Sequence, residues 1–171
     1  MKYDNLDIKK VSKIKLHIED NSEQIDDIVR DIINPYCEGL NKYIQFISSC
    51  LADGNNPPTD SELEDFCLNL STYIYFAGGM CEQLGIRDDI SKAVYKETYN
   101  TARGEREHGT VADKDSYAEL SAQQEQLVNI CYNRAYKTMK NKVENAQELL
   151  SSCKKVLSRR MQEIELTKLM R

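Results

Sequence analysis

Two groups of residues in this sequence are of types that do chemistry, one acidic and one basic. Carboxylates cluster at Glu62, Glu64 and Asp65, and again at Glu82, Asp88 and Asp89. Paired E-x-x-E and E-x-x-D segments on helices hold magnesium, because a hard cation wants several carboxylate oxygens. Only Glu62-x-x-Asp65 fits half of that pattern. It falls in the first turn of an expected helix, where the macrodipole favours acids whatever their role. His17 and His108 are the only imidazoles. Neither has a Ser or Cys nucleophile near it in sequence, so a nucleophile–base pair is not indicated. The sequence assigns no catalytic residue, no metal ligand and no cofactor, and the chain reads as non-enzymatic.

The basic group is larger and is interleaved with tyrosines. Tyr95, Lys96, Tyr99, Arg103 and Arg106 lead into the Gly-flanked loop RGEREHG, and Lys114 and Tyr117 follow it. Tyr132, Arg134, Tyr136, Lys137, Lys140 and Lys142 continue the series, and Lys154, Lys155, Arg159 and Arg160 end it. Lys and Arg neutralise phosphates and tyrosines stack on unpaired bases, the two ingredients of single-strand binding. The competing reading is a solvated helix face. Glu144 and Glu148 share the face with the cations, and Tyr132 and Tyr136 have the spacing of core residues.

The stretch from Thr110 to Arg171 positions most of these side chains, and it runs 62 residues without Gly or Pro. Met139, Val143, Ala146, Leu150, Cys153, Leu157, Met161 and Ile164 recur in steps of three and four, a near-heptad seam on one side of a helix. Arg134, Lys137, Lys155 and Arg159 project from the opposite side. The seam suits an internal hairpin, a partner helix or a second copy, so Met139, Val143, Leu150, Leu157 and Ile164 are candidate contacts of a homo-oligomer.

Charge is unevenly spread. The net charge is −5, yet residues 120–171 carry ten Lys/Arg against five Asp/Glu, leaving 13 basic and 23 acidic groups before them. Such asymmetry is expected of a basic working surface behind an acidic region, or of faces solubilised differently. Ten Tyr, three Phe and no Trp among 30% charged residues suit a helical protein in water. No apolar run approaches the ~20 residues that span a bilayer. MKYDNLDIKK lacks the apolar core of a secretion signal, so the expected compartment is the cytoplasm. Cys37, Cys50, Cys67, Cys81, Cys131 and Cys153 form no C-x-x-C pair. They are expected to be reduced, buried thiols.

Along the chain, residues 1–21 are polar and poorly patterned. The alternation of Lys13 to Ile18 is either a short extended segment or a ragged helix start. Ser22 is the expected N-cap of the first clear helix, whose stripe of Ile25, Ile28, Val29, Ile32 and Ile33 meets Pro35. There the helix kinks, or a new one begins. Asp53 to Pro58 is a turn, and Thr59 with Glu62 a capping box. Gly78-Gly79 is expected to end the next helix or to admit a close neighbour, Gly85 to cap it, and Asp88 or Asp89 to start another. The C-terminal stretch is one helix, or two with a break near Ser121. The fold expected is all-α, a bundle of four to six helices with a long C-terminal helix or hairpin arm. Residues 1–60 form an N-terminal helical region and residues 61–171 the core.

One order of features resembles a known family. A helix with Val94-Tyr95-Lys96-Glu97-Thr98-Tyr99 is followed by Arg103 and a Gly-containing loop. Then come Asp113-Lys114-Asp115-Ser116-Tyr117-Ala118-Glu119-Leu120 and a long helix through Tyr132 and Tyr136 to Leu157-Ser158-Arg159-Arg160. Over about residues 70–165 this layout is similar to the phage recombination mediators typified by UvsY. The resemblance implies a small, ring-forming helical oligomer that binds single-stranded DNA. It further implies help in loading a recombinase onto strands coated by single-strand-binding protein, with no enzymatic activity. It points to Lys96, Arg103, Lys114 and Arg106 as DNA contacts near the loop, and to the C-terminal helix as the assembly surface. The first 60 residues and the net acidity have no counterpart in that family. The alternative is a helical scaffold, adaptor or inhibitor that engages a protein and no nucleic acid.

Overall fold

A computed structural model describes residues 8–170, with side chains from Ser12. The opening MKYDNLD, part of the stretch read above as lacking a signal-type apolar core, and the final Arg171 lie outside the described residues. Four helices follow one another: α1 Ile8–Ala52, α2 Asp60–Glu105, α3 Val111–Ser121 and α4 Gln123–Leu169. The fold is all-α, and among the described residues there is no strand. No described helix is long and apolar enough to cross a membrane.

α2 and α4 form the main interface, antiparallel, with α1 packed on both and α3 folded back on α2. Val29, Ile33, Leu40 and Ile47 of α1 meet Leu63, Phe66, Leu70, Ala77 and Leu84 of α2 and Ala135, Met139, Ala146 and Cys153 of α4 in one core. The three- and four-residue steps of each set keep these side chains on one stripe.

Several expected breaks are absent. α1 runs unbroken from Ile8, so Lys13–Ile18 is helical and Ser22 is internal rather than a cap. Pro35 also sits inside α1, on the exposed side, while its neighbours Ile33 and Cys37 are buried. The bond it cannot donate faces water, where it costs least. Gly78-Gly79 neither ends α2 nor admits a neighbour, since a methyl group on either would meet nothing within 4 Å. Gly85 does not cap a helix, and Asp88 does not start one. α2 passes through all of them because Ala77, Leu84 and Ser91 are buried along it. The roughly 1 kcal/mol propensity cost of a helical glycine is small against that packing.

Real punctuation lies elsewhere. Thr59 caps α2 as expected, its hydroxyl accepting from Glu62 N at 3.3 Å while Glu62 Oε2 accepts from Thr59 N at 2.7 Å. Thr110 and Asp113 build the same box for α3. Gly109 precedes it at φ +121°, a conformation side chains rarely adopt. The C-terminal stretch is two helices. Ala122, at φ −100° and ψ 13°, closes α3 with its N–H on the Ala118 carbonyl and opens α4 without a side-chain cap.

Candidate nucleic-acid interface

The α2–α3 corner gathers three of the predicted DNA contacts. Arg103 Nε lies 2.7 Å from Asp115 Oδ1, which also accepts the Tyr99 hydroxyl at 3.2 Å. Arg106 donates to the Asp113 carbonyl at 3.3 Å, and its guanidinium stands 5.3 Å from the centroid of the Tyr117 ring. Lys114 Nζ reaches the Glu107 carbonyl at 3.3 Å. The backbone N–H and hydroxyl of Thr110 hold the Asp113 carboxyl below its ordinary range. Desolvation, then Asp115, pushes the Tyr99 phenol up. The corner is therefore a closed set of internal partners around a glycine turn. Half-exposed ion pairs such as Arg103–Asp115 are worth only about 0–1 kcal/mol, so they exchange with other anions. Lys96, on the exposed side of α2, makes no ion pair among the described residues.

A second place lies on α4. Arg134 and Lys137 line a groove of about 500 Å³ with Asn129, Ile130, Asn133, Thr138 and Asn141, and no carboxylate lines it. Neither cation has an ion pair among the described residues. Asn133 Nδ2 donates to Asp88 Oδ2 at 3.0 Å, and Asn129 Nδ2 donates to Ser91 Oγ at 3.0 Å. That half-buried amide–carboxylate cluster fixes the rotation of α4 against α2, and Arg134 and Lys137 are exposed beside it. Asp88, predicted as a helix start, acts instead as the acceptor that locks two helices.

Lys155 and Arg159 are a third place, 21 residues beyond Arg134 on α4, or about 32 Å at helical rise. Arg159 pairs with Glu163 at 3.0 Å, while Lys155 has no ion pair among the described residues. Between the two places Lys140 approaches Glu144 at 3.9 Å. Lys142, placed in the basic series, donates to Asn41 of α1 at 3.1 Å. Arg160 is structural, its Nη1 donating to the Pro58 carbonyl at 2.6 Å and to Asp60 at 3.1 Å. The eight candidates thus divide among the corner, the groove and the end of α4, with Lys96 apart.

The seam is spent mostly inside the chain. Met139 is fully buried, and Val143, Leu150 and Leu157, partly buried, pack on the same core. Hydrophobic burial along α2 and α1 takes the stripe first. Only its far end, with Ile164 46% exposed, is open. Burial pushes the thiols of Cys67, Cys81, Cys131 and Cys153 up, and all six cysteines are unpaired. No group of His, Cys, Asp and Glu among the described residues is arranged to hold a metal. Sequence reasoning missed the Asp88–Ser91–Asn129–Asn133 cluster. Its only trace was the pair of asparagines at i and i+4, a spacing that Asn141 and Asn145 repeat farther along the same helix.

No protein-family model, curated protein or solved structure matches this chain.

Proposed function

We propose that this chain is a non-enzymatic, single-stranded-DNA-binding helical oligomer of the recombination-mediator type, acting in the cytoplasm to help a recombinase displace single-strand-binding protein. The observation that carries the reading is the carboxylate-free groove of α4. Arg134 and Lys137 stand there without ion pairs among the described residues, beside the Asn141 amide and the Thr138 hydroxyl, while the amides of Asn129 and Asn133 are given to Ser91 and Asp88. Two exposed cations that no ion pair engages among the described residues suit a phosphodiester backbone. No tyrosine lines the groove, so backbone contact should dominate there and base preference should be weak.

The test is a titration of a fluorescent oligonucleotide at two salt concentrations. The double variant Arg134→Ala, Lys137→Ala should bind more weakly and lose about 1.4 from the magnitude of the log–log salt slope, about 0.7 per phosphate contact. Wild-type protein that fails to bind at low salt removes the DNA reading.

A second reading, a protein-interaction module without nucleic acid, is favoured by the outer stripe of α2. Leu68, Tyr75, Phe76 and Ile86 are 69%, 78%, 66% and 59% exposed around the open Gly78-Gly79 step. An exposed apolar stripe of this kind is the usual mark of a partner surface.

A further inference from the structure

The outer face of α2 carries apolar side chains on both sides of a glycine. Leu68, Thr72 and Tyr75 stand 11, 7 and 4 residues before Gly79, and Gln83, Ile86 and Ile90 stand 4, 7 and 11 after it. At 100° per residue these positions share about 80° of arc. All of them are exposed, while Leu70, Ala77 and Leu84 on the opposite side are buried. A methyl group on Gly79 would meet nothing within 4 Å. The middle of the face is therefore bare backbone, and a glycine lets a second backbone come close.

Offsets that mirror one another about a single residue suit a two-fold axis. An axis through Gly79 sets Leu68 against Ile90 of an antiparallel second copy, Thr72 against Ile86 and Tyr75 against Gln83, each contact made twice. Charge follows the same symmetry. Glu64 lies 15 residues before Gly79 and Lys96 lies 17 after it. They share one flank of the face, within about 40° of each other. In an antiparallel pair each flank meets the same flank of the other helix, so Glu64 comes within about 3 Å, along the axis, of Lys96 of the second copy. Both residues are exposed, and neither makes an ion pair among the described residues. Lys96 is also the candidate cation that belongs to none of the three basic places.

We infer that α2 pairs with α2 of a second copy, antiparallel and crossing at Gly79, with Glu64 and Lys96 joined across each end. Such a contact is isologous and closes at two copies. It uses a surface other than the C-terminal helix, and it names the partner of the exposed α2 stripe. The inference rests on the oligomer of the proposed function. None of its residues lines the groove of Arg134 and Lys137, so the pair presents two such grooves.

The experiment is molar mass by light scattering on the full chain over a wide concentration range, for wild type, Leu68→Glu, Glu64→Lys, Lys96→Glu and the double exchange. Circular dichroism would confirm that helix content is unchanged. Wild type should plateau at two copies. Leu68→Glu, which sets a carboxylate against Ile90, should weaken the pair about a hundredfold. Each single charge exchange should weaken it about tenfold, because the two-fold axis turns one exchange into two like-charge contacts. The double exchange should restore it. Wild type that assembles, with no variant altering its mass, overturns the α2 contact and leaves the oligomer standing. A plateau above two copies overturns the closed pair. Wild type that is monomeric at every concentration overturns both contact and oligomer, and leaves the α2 stripe to a partner of another sequence.

Discussion

Gly85 of α2 lies under the ring of Tyr136 of α4, where a methyl group on the glycine would stand 3.2 Å from Tyr136 Cε2. Gly79, two turns earlier, faces open space. The two glycines should therefore respond oppositely to enlargement. Gly79→Ala should raise unfolding stability by about 0.5–1 kcal/mol through helix propensity alone. Gly85→Leu should lower it by about 1–3 kcal/mol by forcing α2 and α4 apart. Urea unfolding followed by circular dichroism checks both, and equal responses would mean that the ring does not pack on Gly85.

This pair shows why punctuation was harder to read than pattern. The apolar stripes of α1, α2 and α4 announced an all-α fold, and the Thr59–Glu62 box marked the start of α2 to the residue. Gly78, Gly79, Gly85 and Pro35 looked like ends because a local rule scores each by its own propensity. Which glycine meets a neighbour depends on the register of α2 against α4, set by contacts such as Asp88 with Asn133, 45 residues apart. The candidate site was half legible for the same reason. Residue type announced the basic side chains, but only the fold decides that Arg103 meets Asp115 while Arg134 has no ion pair among the described residues.

The seam gives a second test. Met139 is fully buried between α1, α2 and α4. Met139→Ala should cost about 2–5 kcal/mol of unfolding stability at any protein concentration, as a core cavity does. Ile164→Ala should change stability by no more than about 0.5 kcal/mol, because Ile164 is exposed. If Met139→Ala instead shifted only the association equilibrium, the internal placement of the seam would be wrong.

The capping boxes predict an acid response. Glu62 is held below its ordinary range by the backbone N–H and hydroxyl of Thr59, and Asp113 by those of Thr110. A carboxyl whose folded pKa is depressed contributes stability above its unfolded value, near 4, and loses it as pH falls through the folded one. Wild type should therefore be insensitive to pH above about 5. Below about 4 it should lose the advantage it holds over the double variant Glu62→Gln, Asp113→Asn. Melting curves of the two proteins across that range decide it, and an advantage that persists at low pH would show that the charge of the carboxylates adds nothing to the caps.

The α2–α3 corner is one of three places where predicted DNA contacts gather. Asp115 holds Arg103 at 2.7 Å and accepts the Tyr99 hydroxyl at 3.2 Å. Asp115→Asn keeps an acceptor for both but removes the charge that competes with phosphate. If the corner lies on the path of the strand, this variant should bind a single-stranded oligonucleotide more tightly than wild type. Its salt slope should steepen by about 0.7, one added phosphate contact. The triple variant Arg103→Ala, Arg106→Ala, Lys114→Ala should then weaken binding in addition to the loss from Arg134 and Lys137, because the corner and the groove share no partners. An Asp115→Asn protein with wild-type affinity and slope would confine the DNA surface to α4. The corner's ion pairs would then be left with the task of fastening α3 to α2.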